Sequence, residues 1–262
     1  MSEGFLTSDT TDKTWIKPLG QSWKEVTYAP VDGLAVFEGC IILGTVSEMQ
    51  AVKQFVADNP GIKLPGAQSF GVGIRGTQYR WKDNTIPYEV DAGLPDPQRV
   101  TDAIAHWEAN TPIRFVKRDA ANPAHKDYVV FRSGDGCASS VGRRGGRQDV
   151  ILGACCTAGN CIHEIGHTVG LWHEQSRADR DAFITVNWTN IIPNMRFNFD
   201  QHVSDGMDLG DYDYGSIMHY PQNAFSADGQ PTIVPKQASA QIGQRLGLSP
   251  GDIESVRKLI TI

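Results

Sequence analysis

The stretch that decides the fold is His163-Glu164-Ile165-Gly166-His167-Thr168-Val169-Gly170-Leu171-Trp172-His173. Residues four apart lie on one face of a helix, so His163 and His167 can both direct an imidazole nitrogen at one cation. Gly170 follows three positions later and permits a sharp turn, which brings His173 back as a third ligand. Three histidines leave a fourth coordination position open, which is typical of a catalytic rather than a structural zinc site.

A second motif follows the histidine stretch. Ser216-Ile217-Met218-His219-Tyr220 places a methionine where a turn beneath the three histidines would give the metal an apolar floor. Taken alone, Met218 could be an ordinary core residue, and the histidine stretch could be a helix with solvent-facing imidazoles and a glycine cap. The combination of HExxHxxGxxH with a later methionine turn is the metzincin pattern, and it favours the metal site over both alternatives.

Composition excludes several classes of protein. The chain has 262 residues, of which 40% are hydrophobic and 21% charged, a globular rather than a disordered composition. Its 24 basic and 30 acidic residues give a net charge of −6, which argues against a nucleic-acid-binding protein. It has no run of eighteen apolar residues, so we expect no membrane span. Residues 1–19 are polar and lack the apolar core of a signal peptide.

The five cysteines indicate an oxidising compartment. Cys40 stands apart, and the other four lie between Cys137 and Cys161. An even set with one left over suggests two disulfides and a free thiol, and disulfides persist outside the reducing cytosol. We therefore expect a secreted, extracellular protein whose signal peptide is absent from this sequence. The alternative is a cytosolic protein with five reduced cysteines.

The clearest break between predicted elements lies at residues 59–76, which we call the seam. Prolines and glycines there interrupt any regular helix or strand. Ahead of it we predict a short helix capped by Ser47, with Gln50 closing a capping box and Asn59 ending it. Residues 33–44 read as extended chain. The first 75 residues are therefore expected to be thinly structured.

After the seam the pattern is α+β. Residues 85–90 read as a strand, and Pro87 within them suggests an edge position. A helix opens at Asp96 with Pro97 as its first residue. Further strands are predicted at 113–117, 128–132 and 149–152, and helices at 161–171 and from Ser249 onward. Residues 176–248 show few clear elements.

The chain after the seam resembles the astacin family of zinc endopeptidases. Residues 163–177 read HEIGHTVGLWHEQSR, in which Glu174 follows the third histidine, and Tyr220 lies two positions beyond Met218. Both are marks of that family. Further matching stretches occur in order, and the resemblance covers roughly residues 72–262 (81–88, 136–146, 177–188, 212–220 and 242–252).

This resemblance implies an α+β fold with an astacin-like catalytic domain of two subdomains. The first would hold a twisted mixed sheet and the active-site helix, and the second would be irregular and end in a terminal helix. A mostly extended pro-segment would precede them. We therefore divide the chain into a latency pro-segment at 1–71 and a catalytic domain at 72–262.

The resemblance also implies roles for single residues. His163, His167 and His173 match the ligands of one zinc ion per chain. Glu164 matches the general base. Tyr220 matches a tyrosine that stabilises the transition state.

Glu174 matches a residue that pairs, through water, with the freed N-terminal amine of the mature enzyme. A family disulfide matches Cys137–Cys155. The family's other disulfide has no counterpart here, since no cysteine lies near the C-terminus. Instead we predict that Cys156–Cys161 closes a small loop. The edge strand that binds extended substrate matches Cys137, Ala138, Ser139, Ser140 and Val141.

The odd cysteine falls at the position that blocks zinc in related precursors. Their pro-segments resemble one another in a Phe-x-Gly-Asp motif whose aspartate occupies the metal, and the matching stretch here is Phe37-Glu38-Gly39-Cys40. A thiolate is a good zinc ligand. We therefore predict that Cys40 is a latch on the zinc site. The alternative is a thiol that is merely buried or bonded to another chain.

The leading hypothesis is a secreted, monomeric zinc endopeptidase that cleaves extended polypeptides once a protease, or the enzyme itself, removes the pro-segment. The mature end should fall near Gly71 to Gly73, and Arg75 and Arg80 lie close by. Two other functions stay open: a catalytically inactive adhesion module that keeps zinc for stability, and a hydrolase of small substrates. Peptide cleavage separates these alternatives.

Overall fold

We describe a computed structural model of the chain that covers residues 4–16, 23–59, 73, 76–202 and 206–261. Within this part of the chain, nine strands form one mixed sheet in the order β1-β2-β3-β4-β8-β9-β7-β5-β6, and two further strands form a small antiparallel pair. The strands are β1 Asp12–Ile16, β2 Lys24–Val31, β3 Leu34–Phe37, β4 Ile41–Thr45, β5 Thr85–Val90, β6 Arg114–Lys117, β7 Tyr128–Arg132, β8 Cys137–Ser139, β9 Arg147–Leu152, β10 Ile184–Val186 and β11 Ile233–Pro235.

Four α-helices accompany the sheet in the described residues: α1 Val46–Asp58, α2 Gln98–Asn110, α3 Ala158–Val169 and α4 Pro250–Thr261. None of these helices is long and apolar enough to cross a membrane. The main core lies where α2 and α3 pack on the parallel strands, and Trp107, Phe131, Leu152 and Ile165 are buried in it. The α+β architecture expected from the sequence is confirmed.

The first part of the chain is more structured than we predicted. It forms α1 and four strands, each antiparallel to the next. Along β2, Val26 and Tyr28 face inward and are buried, while the residues between and before them are more exposed. These inward side chains share a second core with Val141 and Trp172 from the later chain. The segment ahead of the seam therefore joins the sheet formed by the later part of the chain.

Two predicted helix starts were wrong by a short distance. Thr45, not Ser47, caps α1, and Glu48 rather than Gln50 closes the capping box, since the helix begins two residues earlier than its apolar pattern indicates. In α2, Pro97 is the capping residue and not the first helical residue. No α1 residue is fully buried, so this helix lies on the surface.

The prediction of an edge position for residues 85–90 was also wrong. β5 lies between β6 and β7 and is parallel to both. Pro87 lies opposite Val116 on the β6 side. The pairing of β5 with β7 begins only at Tyr88, so Pro87 has a strand partner on the β6 side alone.

Candidate metal centre

Helix α3 presents two of the predicted ligands. Thr157 caps it: Thr157 Oγ1 accepts the N–H of Asn160, and Asn160 Oδ1 accepts the N–H of Thr157, which fixes where the helix begins. His163 and His167 lie one turn apart and are buried. The helix ends at Gly170, whose φ of +123° disfavours any residue with a Cβ. The prediction of a helix at 161–171 was therefore right in type, but α3 begins three residues earlier, at Ala158, and its last residue, Val169, lies two residues earlier.

The three imidazoles converge on one point. Each directs Nε2 inward while its Nδ1 meets an acceptor: Ile217 O at 2.8 Å from His163, Leu171 O at 2.8 Å from His167, and Glu38 Oε2 at 2.6 Å from His173. A carbonyl or carboxylate oxygen only accepts, so each Nδ1 carries the hydrogen and each Nε2 keeps its lone pair.

Burial favours the metal-binding form of these rings. Desolvation lowers the pKa of all three histidines, most strongly for His163 and His167, so each imidazole is neutral at pH 7. Neutral imidazole with its second nitrogen anchored is the arrangement in which histidine binds zinc. The donor set and its supporting hydrogen bonds therefore fit the metal that the sequence predicts.

Cys40 brings a sulfur to the same point. Its Sγ lies 3.7, 3.3 and 3.2 Å from the Nε2 atoms of His163, His167 and His173, and all four residues are buried. In tetrahedral zinc sites, bonds of about 2.3 Å to sulfur and about 2.0 Å to nitrogen place the two ligand atoms about 3.5 Å apart. The observed separations of 3.2–3.7 Å lie on both sides of that spacing.

Glu38 is a residue of this site that sequence analysis missed. It precedes Cys40 by two positions and has a positive φ of 46°. Its fully buried carboxylate accepts hydrogen bonds from His173 Nδ1, Ser176 Oγ at 2.8 Å and His202 Nε2 at 2.8 Å. Burial alone would raise the pKa of Glu38, but the nearby His202 and these hydrogen bonds hold it well below its usual range.

The predicted base and the predicted tyrosine both lie at the site. Glu164 is buried, and within the described part of the chain its Oε2 has no hydrogen-bond partner. Desolvation raises the pKa of this carboxyl well above its usual range. The Tyr220 hydroxyl donates to the backbone oxygen of Glu38 at 2.7 Å, and its ring lies 4.6 Å from that of His173.

The methionine turn lies directly beneath α3. Met218 is buried, and a Cβ placed on Gly166 would come within 2.6 Å of its Sδ. The small residue in the zinc motif therefore lets the methionine approach the helix. The turn is anchored by Asp252 of α4, which accepts hydrogen bonds from Ser216 Oγ and Ile217 N.

Glu174 lies behind the third histidine. Its Oε1 accepts the N–H of Asp213 at 2.8 Å and lies 3.6 Å from an Arg177 nitrogen. Burial raises the pKa of Glu174 to about 8, although Arg177 lowers it in part. A carboxyl in this state would gain stability from a nearby cation.

Both predicted disulfides were wrong in this structure. Cys137 is bonded to Cys156, whereas Cys155 and Cys161 are free. Cys156 is buried and directed at the start of β8, while the side chain of its neighbour Cys155 is exposed. Cys161 is buried within α3, so it does not reach Cys156.

The predicted substrate strand is covered on both sides. The strand itself is β8, Cys137–Ser139, and Ser140 and Val141 continue beyond it. β9 pairs with one side in the antiparallel sense, and β4 pairs with the other in the parallel sense. Ser139 N donates to Cys40 O at 2.9 Å, so Cys40 and the strand are directly linked.

The missed residues share a cause. Glu38 lies at the variable position of the Phe37–Cys40 motif and Ser176 lies in the 163–177 stretch, but the sequence indicated a role for neither residue, and His202 belongs to no motif that we recognised. A glutamate placed between an aromatic residue and a glycine gives no sign that it will be buried. Only the closure of the first segment over the histidines brings the three together.

Several known proteins that are similar to this chain are zinc proteases. The sequence model of the peptidase family described as Astacin matches residues 73–261. The zinc metalloproteinase nas-13 of Caenorhabditis elegans is 39% identical over 228 residues, which is 85% of this chain and 49% of that protein. The related nas-6 is also 39% identical, over 82% of this chain and 65% of that protein. The chain thus spans about half to two thirds of the length of these relatives.

A solved structure is similar in both sequence and fold. High choriolytic enzyme 1, a hatching enzyme zinc-protease from the medaka fish Oryzias latipes, is 34% identical with a TM-score of 0.63. The match covers 76% of this chain and 98% of that one. A structure of myroilysin, at 19% identity and a TM-score of 0.50, shares the fold.

Proposed function

This chain belongs to the astacin family of zinc peptidases, and we propose that it is a zinc-dependent endopeptidase made as a latent precursor. In this proposal residues 1–71 are the pro-segment, and the Cys40 thiolate blocks the metal until that segment is removed. The observation that carries the proposal is the Cys40 sulfur, which lies 3.2–3.7 Å from three convergent imidazole nitrogens.

The active chemistry follows from the residues around the histidines. Zinc, when bound, supplies Lewis-acid chemistry at the scissile carbonyl and lowers the pKa of water. Glu164 accepts a proton from the attacking water and returns it to the leaving amine, a role that its buried carboxyl next to His163, with Oε2 unpaired in the described part of the chain, supports. The Tyr220 hydroxyl is a donor suited to the oxyanion once its bond to Glu38 is broken.

The latch has a chemical basis in the thiol. Metal coordination deprotonates a cysteine, and thiolate bonds to zinc are strong. A sulfur in the fourth position would exclude the water that hydrolysis needs. Cys40 and its neighbours therefore keep the precursor inactive without any change in the three histidines.

The pro-segment also covers the substrate strand. An extended peptide binds by adding a strand to a free sheet edge. Here β4 already occupies the edge of β8 that faces away from β9. Removal of the segment would open both the metal and the edge, which favours extended polypeptides over small molecules as substrates.

In this proposal, Glu174 pairs with the new N-terminal amine that removal of the pro-segment creates. We place the cleavage near Gly71 to Gly73, of which Gly73 alone lies in the described residues and donates to Met207 O at 3.2 Å. The predicted boundary between pro-segment and catalytic domain, between residues 71 and 72, lies outside the described residues, and so does Arg75. A new ammonium group near Glu174 would offset the burial that raises the pKa of this carboxyl to about 8.

The disulfide Cys137–Cys156 supports the remaining expectation of a secreted protein, because such bonds persist in oxidising compartments. Activation by a separate protease or by self-cleavage, and the monomeric state, stay predictions.

Casein digestion tests the proposal. We expect the intact precursor to leave casein uncut and the trypsin-trimmed, repurified chain to degrade it. Chelation of the metal should abolish the trimmed activity, and added zinc should restore it. Hydrolysis of dipeptides alone would favour the small-substrate enzyme, and no cleavage by trimmed, zinc-loaded protein would favour the adhesion module.

A further prediction concerns Glu38. Its carboxylate accepts three buried hydrogen bonds, and bonds to a charged group each contribute about 1.5–3 kcal/mol. Glu38→Gln should therefore raise the residual activity of the intact precursor at least ~10-fold on a fluorogenic peptide. The exposed Glu25 of the same segment provides the matched control, since Glu25→Gln should change nothing. Equal latency in both variants would contradict a role for the Glu38 contacts.

A further inference from the structure

Three cysteine sulfurs meet at the start of the substrate strand. Cys137 is the first residue of β8, while Cys155 and Cys156 are adjacent in the loop before α3. The Cys137–Cys156 disulfide and the free Cys155 thiol place all three sulfurs within 4.8 Å of one another. A free thiol therefore lies next to a disulfide that it could attack.

The surroundings keep this thiol in place. Arg99 donates to the carbonyl oxygens of Gly153 and Cys156, which fixes the loop on both sides of Cys155. The first described residue, Gly4, packs on the sulfurs: a Cβ placed there would lie 2.6 Å from Cys137 Sγ and 3.5 Å from Cys155 Sγ. Cys155 is nevertheless exposed, whereas Cys137 and Cys156 are buried.

We propose that these three residues form a thiol–disulfide exchange site in which Cys137 alternates between Cys156 and Cys155. The Cys155 thiolate attacks Cys137 Sγ, the Cys137–Cys156 bond breaks, and the Cys156 thiolate leaves and takes up a proton. One disulfide is lost and one is gained, so the exchange needs no oxidant or reductant.

The Cys137–Cys156 and Cys137–Cys155 disulfides would constrain the chain almost equally. Cys155 and Cys156 are neighbours in sequence, so either bond closes a loop of almost the same length and ties β8 to the same segment. They differ in the thiol that is left over, which is exposed in one form and buried in the other. A small thiol-reactive disulfide or alkylating agent would therefore trap the chain in the Cys137–Cys156 form.

Cysteine mapping tests the exchange site. The folded protein is incubated at pH 8, and acid with denaturant then stops exchange and exposes every thiol to a low-molecular-weight maleimide. Fragmentation of the peptides locates the label. We expect label on both Cys155 and Cys156 in different molecules, and faster exchange at pH 8 than at pH 6, since the thiolate is the nucleophile. Label on only one of the two at every pH and time would overturn the proposal.

Two variants give an independent answer. Cys156→Ser should form Cys137–Cys155, and Cys155→Ser should keep Cys137–Cys156, with melting temperatures within a few degrees of each other. Cys161→Ser is the control, because Cys161 is buried within α3 and should leave the ratio unchanged. Reduced Cys137 in a folded Cys156→Ser protein would contradict the proposal. If that variant does not fold, the wild-type labelling decides.

Discussion

Replacing Glu164 with glutamine should lower kcat/KM of the trimmed enzyme by at least ~10²–10⁴-fold, the usual contribution of general acid–base catalysis. Glutamine keeps the shape of the side chain but cannot take a proton from water at neutral pH. The carboxyl it replaces is buried, its pKa is raised by desolvation, and its Oε2 has no partner in the described part of the chain. The loss should fall mainly on kcat, because the change removes proton transfer rather than substrate contacts.

The measurement combines peptide kinetics with metal analysis. We expect Glu164→Gln to retain one zinc per chain, because Glu164 is not among the converging ligands. Glu254→Gln, at an exposed position on α4, provides the control and should have wild-type kinetics. Near-normal turnover by a zinc-loaded Glu164→Gln enzyme would refute the assignment of the base.

The second large effect concerns latency. Cys40→Ala removes the only thiol that converges with the three histidines in the described residues, so the intact precursor should gain at least ~10-fold in peptide hydrolysis, equivalent to about 1.4 kcal/mol. The gain should be partial, because β4 still covers β8 and Glu38 still holds His173 and Tyr220.

The partial gain suggests a double variant. Cys40→Ala combined with Glu38→Gln should be more active untrimmed than either single change, since it weakens both sets of contacts. Cys161→Ala is the matched control: Cys161 is also a buried cysteine outside a disulfide, but it does not belong to the group that converges with the three histidines. A Cys40→Ala precursor as inactive as wild type, with trimmed activity intact, would count against the thiol latch.

Local sequence predicted most of the metal centre. The spacing of His163, His167 and His173 fixes two ligands on one helix face and a third after a glycine turn, and the structure brings them together. Periodicity also predicted β5 and β7 with correct bounds. Such features depend on neighbours within about ten residues, which a single sequence displays directly.

The errors came from contacts between distant parts of the chain. Pro87 looked like an edge residue, but nothing local reveals that β6 pairs beside it. The choice between Cys155 and Cys156 depends on which of two adjacent side chains points inward. The site around Glu38 needs the first segment to fold across the later one, and no repeat or spacing records that event.

X-ray absorption at the zinc edge of the intact precursor tests the central claim most directly. We predict one sulfur at about 2.3 Å and three nitrogen neighbours at about 2.0 Å, with the sulfur replaced by a light atom in Cys40→Ala and after trimming. An all-nitrogen and oxygen shell in the untrimmed wild-type chain, or a chain that binds no stoichiometric zinc, would contradict the account.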